Sequence, residues 1–325
     1  MTKTLKRIAE ASLILVAADG PQSIARLLDR LRRQTAASKL EIVIAALAGD
    51  VAKFAALAEP AFAELRVIAA DLSTSARARA AAIFQARAPI VIFVEDHCFP
   101  VGDDWAERII RAHRFGHVAV GPVIRNANPG SATSWANLAV EYGPYMHRKD
   151  AAEMDFLPGH NSSYKREVLV QFGDDLADLL EAEWVLQTKL KAQGGTFWLD
   201  PLIEVEHLNY ARMTRSIGLQ FLIGWMFAAS RSASWSLRKR LLYAMLFPAI
   251  AVWRMVNVTG QILNAPDSRS NALRSLPIVA VLLLASGIGE GIGYAFGDLG
   301  RRNALAKMEY KRWRNLLPGE IGLTR

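Results

Sequence analysis

The chain has 325 residues, room for one large α/β domain with an appendage or for two modest domains. Its single cysteine, Cys98, excludes an intrachain disulfide framework and fits a reducing cytoplasm. The net charge of +8 is unevenly placed: residues 1–207 hold 23 Lys/Arg against 26 Asp/Glu, and residues 208–325 hold 16 against 5. A basic, apolar C-terminal third with no aromatic base-stacking motif excludes a nucleic-acid module and suits an anionic membrane surface.

Met1 to Arg7 is basic and Ala11 to Ala18 apolar, as in a signal peptide, but Glu10 interrupts and the apolar core is short. A first strand over 12–18 is therefore expected. Pro21 starts a helix whose Ile24, Leu27, Leu28 and Leu31 share one face. Glu41 to Leu47 reads as a second strand, followed by an Ala-rich helix to about Ala63 and a third strand over Leu65 to Ala69. Ser75 to Arg87 is a helix carrying Arg77 and Arg79. It leads into Pro89 to Val94, an unbroken apolar run that ends in Glu95-Asp96-His97.

Such a run reads as a strand buried on both faces, and parallel sheets keep their ligand sites at the carboxyl ends of such strands. Three metal-competent side chains there point to a cation holding an anion such as a diphosphate; the competing reading is an acidic surface turn. Cys98 beside them reads as a small buried residue. Asp104 to His113 is a further helix and Val118 to Ile124 a further strand. Residues 125–160 read as loop-rich, with a strong turn at Asn126 to Gly130. Leu179 to Gln193 is one helix stopped by Gly194-Gly195, and Thr196 to Glu206 a last short strand ending at His207. This alternation predicts an α/β fold with a mostly parallel sheet flanked by helices.

In the C-terminal third, Leu241 to Trp253 is a 13-residue apolar run broken by Pro248, short for a membrane span. Leu276 to Gly297 is long enough, with Glu290 its one charge, and Gly287, Gly289, Gly291 and Gly293 allow close helix contact. Cations on both sides disfavour a single crossing. The expectation is a hairpin or in-plane helices, with Trp225, Trp235, Trp253 and Trp313 at headgroup level. A true span, a soluble helical subdomain and a homodimer stay open.

The sequence of parts (strand, helix, strand, Arg79 on a helix, Glu95-Asp96-His97, Gly159 to Lys165, then an acidic helix ending in Leu-Lys-Ala-Gln-Gly-Gly) resembles glycosyltransferase family 2 over about residues 10–210. The resemblance implies the nucleotide-sugar-binding GT-A fold for a catalytic domain at 1–210, followed by a helical, membrane-associating region at 211–325. Glu95 or Asp96 would contact the ribose or the cation. His97 would take the second metal-ligand place of an Asp-x-Asp motif, and His207 would add a third metal contact. Histidine is a departure there, so Mn²⁺ and Mg²⁺ both stay open.

In the same frame, Glu183 of the Glu181-Ala182-Glu183 run would be the general base. Without the resemblance, Glu181 and Glu183 read as first-turn acids favoured by the helix dipole. Arg79 would lie near the nucleotide and Asp19 near the base or ribose. The Gly159-His160-Asn161 turn would let backbone approach the donor sugar. Trp135, with Asn137, Glu141, Tyr142 and Tyr145, would line the acceptor side. The base-reading Asp of the second strand is replaced by Ala46-Leu47, and the first strand's aromatic by Ala18, so the nucleobase stays unassigned.

The implied activity is metal-dependent, inverting transfer of a sugar from a nucleoside-diphosphate donor to a lipid-linked or surface-polysaccharide acceptor. The protein would sit at the cytoplasmic face of the cell membrane, peripheral or monotopic. Two readings compete. A nucleotidyltransferase would need a phosphate loop that Ala17 to Pro21 does not provide, and a degenerate membrane-bound scaffold is motivated by the missing Asp.

Overall fold

The computed structural model describes residues 8–57, 59–146, 148–265 and 269–324. By contacts the chain divides into two units, one holding residues up to Val123 with Lys149–Glu206, the other Ile124–Arg148 with His207–Thr324.

The first unit is built on β1 (Ala11–Ala17), β2 (Leu40–Ala46), β3 (Glu64–Ala69) and β4 (Ile90–Val94), all parallel, with Ala11 opposite both Leu40 and Ile90. Every residue of β2 and β4 is buried, which is why neither strand shows polar alternation. The crossovers are α1 (Ala25–Arg32), α2 (Val51–Ala55) and α3 (Ser75–Gln85). Leu27, Leu28 and Leu31 of α1 are buried, and Thr74 caps α3 by accepting from the Arg77 amide. At the amino ends of the strands, buried Glu41 accepts from Ser12 Oγ and from the Arg87 amide, tying β1 and β2 to the approach to β4.

The chain continues through β5 (Cys98–Pro100), α4 (Trp105–His113), β6 (Ala119–Asn126), α5 (Ala132–Tyr142), β7 (Ala152–Glu153) and β8 (Ser163–Lys165). Then come α6 (Arg166–Val170), α7 (Leu176–Glu181), α8 (Glu183–Ala192) and β9 (Phe197–His207). The sheet order is β3-β2-β1-β4-β8-β6-β9-β5, with β7 on β9 and β8 antiparallel to both β4 and β6. Because β1 is flanked by β2 on one side and β4 on the other, the order reverses at β1. The crevice that such a reversal opens lies at the carboxyl ends of β1 and β4, where Asp19 and Glu95 follow. Cys98 is buried, as expected.

Three sequence expectations change. The Ala-rich helix stops at Ala55, because Pro60 disfavours a helical residue before it. The 125–160 stretch contains α5, whose Ser131 cap follows directly on the Asn126 to Gly130 turn. The single helix over 179–193 is two helices broken at Ala182, with φ −126° and ψ 67°. The last strand keeps its expected span to within a residue, at Phe197–His207.

The second unit also contains α9 (Met213–Arg231), α10 (Leu237–Met245), α11 (Phe247–Leu263), α12 (Arg269–Arg274), α13 (Leu276–Phe296) and α14 (Arg302–Glu309). A Cβ on Gly224, Gly289 or Gly293 would overlap the facing backbone of α13 or α9, so these glycines set how closely the two helices approach. Gly287 and Gly291 of α13 instead face Phe247 of α11. Among the described residues α13 is the one helix long and apolar enough alone to cross a membrane, and half of that stretch is buried. α10 and α11 are bent by 58° at their junction, where Pro248 sits in the first turn of α11.

Candidate active site

Glu95 leaves the carboxyl end of β4, and His97 turns back toward it, placing His97 Nε2 3.6 Å from Glu95 Oε2. Asp96 Oδ1 takes His97 Nδ1 at 2.7 Å. A carboxylate on Nδ1 fixes the ring and leaves Nε2 facing Glu95. Glu95 and His97 thus offer one carboxylate oxygen and one imidazole nitrogen 3.6 Å apart. His207 ends β9 and falls in the second unit.

His207 is itself held. The Asn209 amide donates to Asn126 Oδ1 and to the His207 carbonyl, which leaves Asn209 Oδ1 as acceptor for His207 Nδ1 at 2.8 Å. His207 Nε2 therefore keeps its lone pair, 3.5 Å from the Tyr142 hydroxyl. A carboxylate oxygen and an imidazole nitrogen, as Glu95 and His97 offer, are donors that a first-row divalent cation accepts. Asp96 serves in this geometry to orient His97.

On the other side of Glu95 lies Glu183. The Ala182 break makes Glu183 the first residue of α8, where a carboxylate meets the positive end of the helix. Arg79 of α3, almost fully buried, brings Nη1 to 3.0 Å from Glu183 Oε1. His160 spans the two acids, with Nδ1 3.2 Å from Glu95 Oε1 and Nε2 3.4 Å from Glu183 Oε2. Asn161 Nδ2 donates to Glu95 Oε2 at 3.1 Å. Both residues sit on the 3₁₀ turn Gly159–Asn161, and a Cβ on Gly159 would overlap the Glu183 carboxylate. Glycine is required there for the close approach.

The charges follow from this geometry. Burial works against a charged His160, but Glu183 and Glu95 outweigh it and push the imidazole up to about 9. Burial raises the Glu183 carboxyl above its ordinary value, with His160 and Arg79 opposing. The result is a carboxylate of raised basicity kept in place by two cations.

Of the residues singled out in the sequence, Arg79, Glu95, Asp96, His97, Gly159, His160, Asn161 and Glu183 form one continuous cluster within the first unit. Asp19 stands two residues beyond β1 at the same edge of the sheet. Trp135 is buried on α5 with its indole N–H on the Pro129 carbonyl at 2.9 Å. Asn137 is buried too and donates to Thr133, Tyr210 and Ser216. Their ring and amide are thus engaged in packing. Sequence reasoning missed Asn209, whose signal is its place two residues after His207, and the pairing of Tyr142 with the His207 ring at 4.9 Å.

Comparison with known proteins bears on the family and the fold. Residues 12–173 match the family described as Glycosyl transferase family 2. No curated protein matches the chain. Among solved structures, the mannosyltransferase PcManGT from Pyrobaculum calidifontis, in complex with GDP-Man and Mn²⁺, is 17% identical over 89% of this chain and 90% of its own, with a TM-score of 0.55. GalNAc-T7 with UDP, GalNAc and Mn²⁺ is 14% identical over 62% and 43%, with a TM-score of 0.46. S. aureus TarS is 15% identical over 84% and 54%, with a TM-score of 0.45. The likeness to PcManGT spans nearly the whole of both chains and is one of fold.

Proposed function

Since residues 12–173 place this protein in glycosyltransferase family 2, we propose that it is a metal-dependent, inverting enzyme that moves a sugar from a nucleoside-diphosphate donor to a lipid-linked or surface-polysaccharide acceptor at a membrane. The observation that carries this reading is the His160 bridge between Glu95 and Glu183 at the carboxyl end of β4. It sets a cation-binding carboxylate and a proton-accepting one on two sides of one small space.

Glu95 and His97, with His207 as the third contact that the family resemblance implies, would hold Mn²⁺ or Mg²⁺, and a bound cation neutralises charge that builds on a leaving diphosphate. The protein's own groups do the rest. Arg79 and the Gly159–Asn161 turn position the donor, and Asp19 meets its nucleoside end. Glu183 takes the proton of the acceptor hydroxyl as that oxygen attacks the anomeric carbon. The new C–O bond forms opposite the breaking one, whose electron pair leaves with the nucleoside diphosphate, so the configuration inverts.

A catalytic domain at 1–210 followed by a membrane-associating region at 211–325 fits the division of charge in the sequence. The location would be the cytoplasmic face of the cell membrane, peripheral or monotopic. PcManGT was solved with GDP-Man and Mn²⁺, and guanosine diphosphate sugars are the first donors to screen.

Isothermal titration with Mn²⁺ and a panel of nucleoside diphosphates, followed by a donor-hydrolysis screen, tests the proposal. Metal-dependent binding of one nucleoside diphosphate is expected. Its absence across the panel would leave only a degenerate scaffold.

A further inference from the structure

The helical unit exposes a surface that sugar transfer does not use. Across residues 241–266 Arg254 is the one charged side chain. It turns inward, to Glu290 at 2.6 Å and Ser286 at 3.0 Å on α13. The outward side of the helices from Leu241 onward is therefore free of charge, and α10 and α11 carry large apolar groups at helical spacing. Leu237, Leu241 and Met245 lie along α10, and Val252, Trp253 and Val256 along α11, with Met245 72% and Trp253 66% exposed.

Ala251 and Phe247 pack on the glycines of α13, so apart from the paired Arg254 the covered side of α11 is apolar, as its bare side is. A helix apolar all round belongs in an apolar medium. What covers the bare side is indicated by charge. Arg238, Lys239 and Arg240 precede the run and Arg269 and Arg274 follow it, within a segment of 16 Lys/Arg against 5 Asp/Glu. Cations in the first turn of α10 oppose the helix dipole, so they do not stabilise that helix. Among the described residues neither Arg238 nor Lys239 forms an ion pair.

Length fixes the mode. The 17 residues of α11 reach about 26 Å and fall short of a bilayer core of about 30 Å, and the 58° bend keeps α10 from extending it. Basic groups at both ends place both ends on one side. Trp225 takes no part: it is buried, with its indole N–H on the Gly297 carbonyl.

We infer that the bent α10–α11 pair lies in the plane of an anionic bilayer leaflet, its Leu237–Val256 stripe sunk below the headgroups and the flanking Arg and Lys residues among the lipid phosphates. The inference rests on the proposal that the protein acts at a membrane and names the surface and the lipid chemistry involved.

The test is flotation of the full chain with vesicles of phosphatidylcholine alone and of phosphatidylcholine with phosphatidylglycerol. Binding to the anionic vesicles alone, weakening as salt rises, is expected. Trp253→Asp and Val256→Asp alter exposed positions and should each weaken vesicle binding about tenfold or more, with unchanged Mn²⁺-dependent nucleoside-diphosphate binding. Equal flotation of both variants, no flotation with either vesicle, or a soluble dimer that these substitutions dissociate would overturn the inference. Loss of nucleotide binding with flotation intact would count against sugar transfer and leave the membrane surface standing.

Discussion

Glu183 Oε1 lies 3.0 Å from Arg79 Nη1, so the carboxylate assigned as base is ion-paired inside the protein before any substrate arrives. The pairing holds down a pKa that burial raises. Two consequences separate the partners. Glu183→Gln keeps the shape but cannot accept a proton, and transfer should fall about 10²–10⁴-fold with nucleoside-diphosphate affinity unchanged. Arg79→Gln removes the charge that favours ionised Glu183. The carboxyl then titrates higher, and the acidic limb of the kcat–pH profile should move to higher pH. An unmoved limb would remove Arg79 from any role in tuning the base.

Gly159→Ala tests the packing of the same group. The added methyl meets the Glu183 carboxylate and approaches its Cβ to 3.0 Å, so the side chain must swing away. Turnover should drop while the thermal transition moves little, because the turn's own backbone has no need of a positive φ. Retained turnover in this variant would show that Glu183 does not act from the position seen here.

Asn209 offers a test of the metal side that leaves the three ligand side chains in place. Its Oδ1 fixes His207 Nδ1 as the protonated nitrogen and leaves Nε2 as the nitrogen able to bind a cation. Outer groups of this kind are worth about 10–100-fold in metal affinity. Asn209→Ala should weaken Mn²⁺ binding by that order in a calorimetric titration, and Asn209→Asp, which still accepts, should restore most of it. If both variants bind Mn²⁺ like the parent, His207 does not hold the ion.

Most of the sheet could be read in advance because its strands announce themselves. β2 and β4 are covered on both faces and so are written as apolar runs that only Glu41 interrupts. Glu95, Asp96 and His97 were visible for the same reason, as polar groups ending an apolar run. What the sequence hid depends on long-range placement. The break at Ala182 has no Gly or Pro to mark it, yet it starts a new helix at Glu183. The salt bridge joins residues 104 positions apart. Asn209 carries an ordinary loop residue's signature, and its meaning comes from Asn126 on another strand. Trp135 is a further case: it lies on α5, a helix that the turn-rich reading of 125–160 did not show, and is buried there.

His113 of α4 predicts how the fold responds to acid. The ring is buried between the His117 carbonyl at 3.2 Å and Ser163 Oγ at 2.9 Å. Burial, with Lys165 and His117 adding to it, pushes its pKa from 6.5 down to about 4. The unfolded chain therefore binds a proton on this side chain between those two values while the folded chain does not. Stability falls as pH drops through that window, by up to about 3 kcal/mol at its lower end, and is unaffected by this group above it. In His113→Gln the amide keeps hydrogen-bonding capacity without titrating, so chemical denaturation at pH 7 and pH 4 should show a smaller loss than in the parent. An equal loss in both proteins would assign the acid sensitivity to other groups.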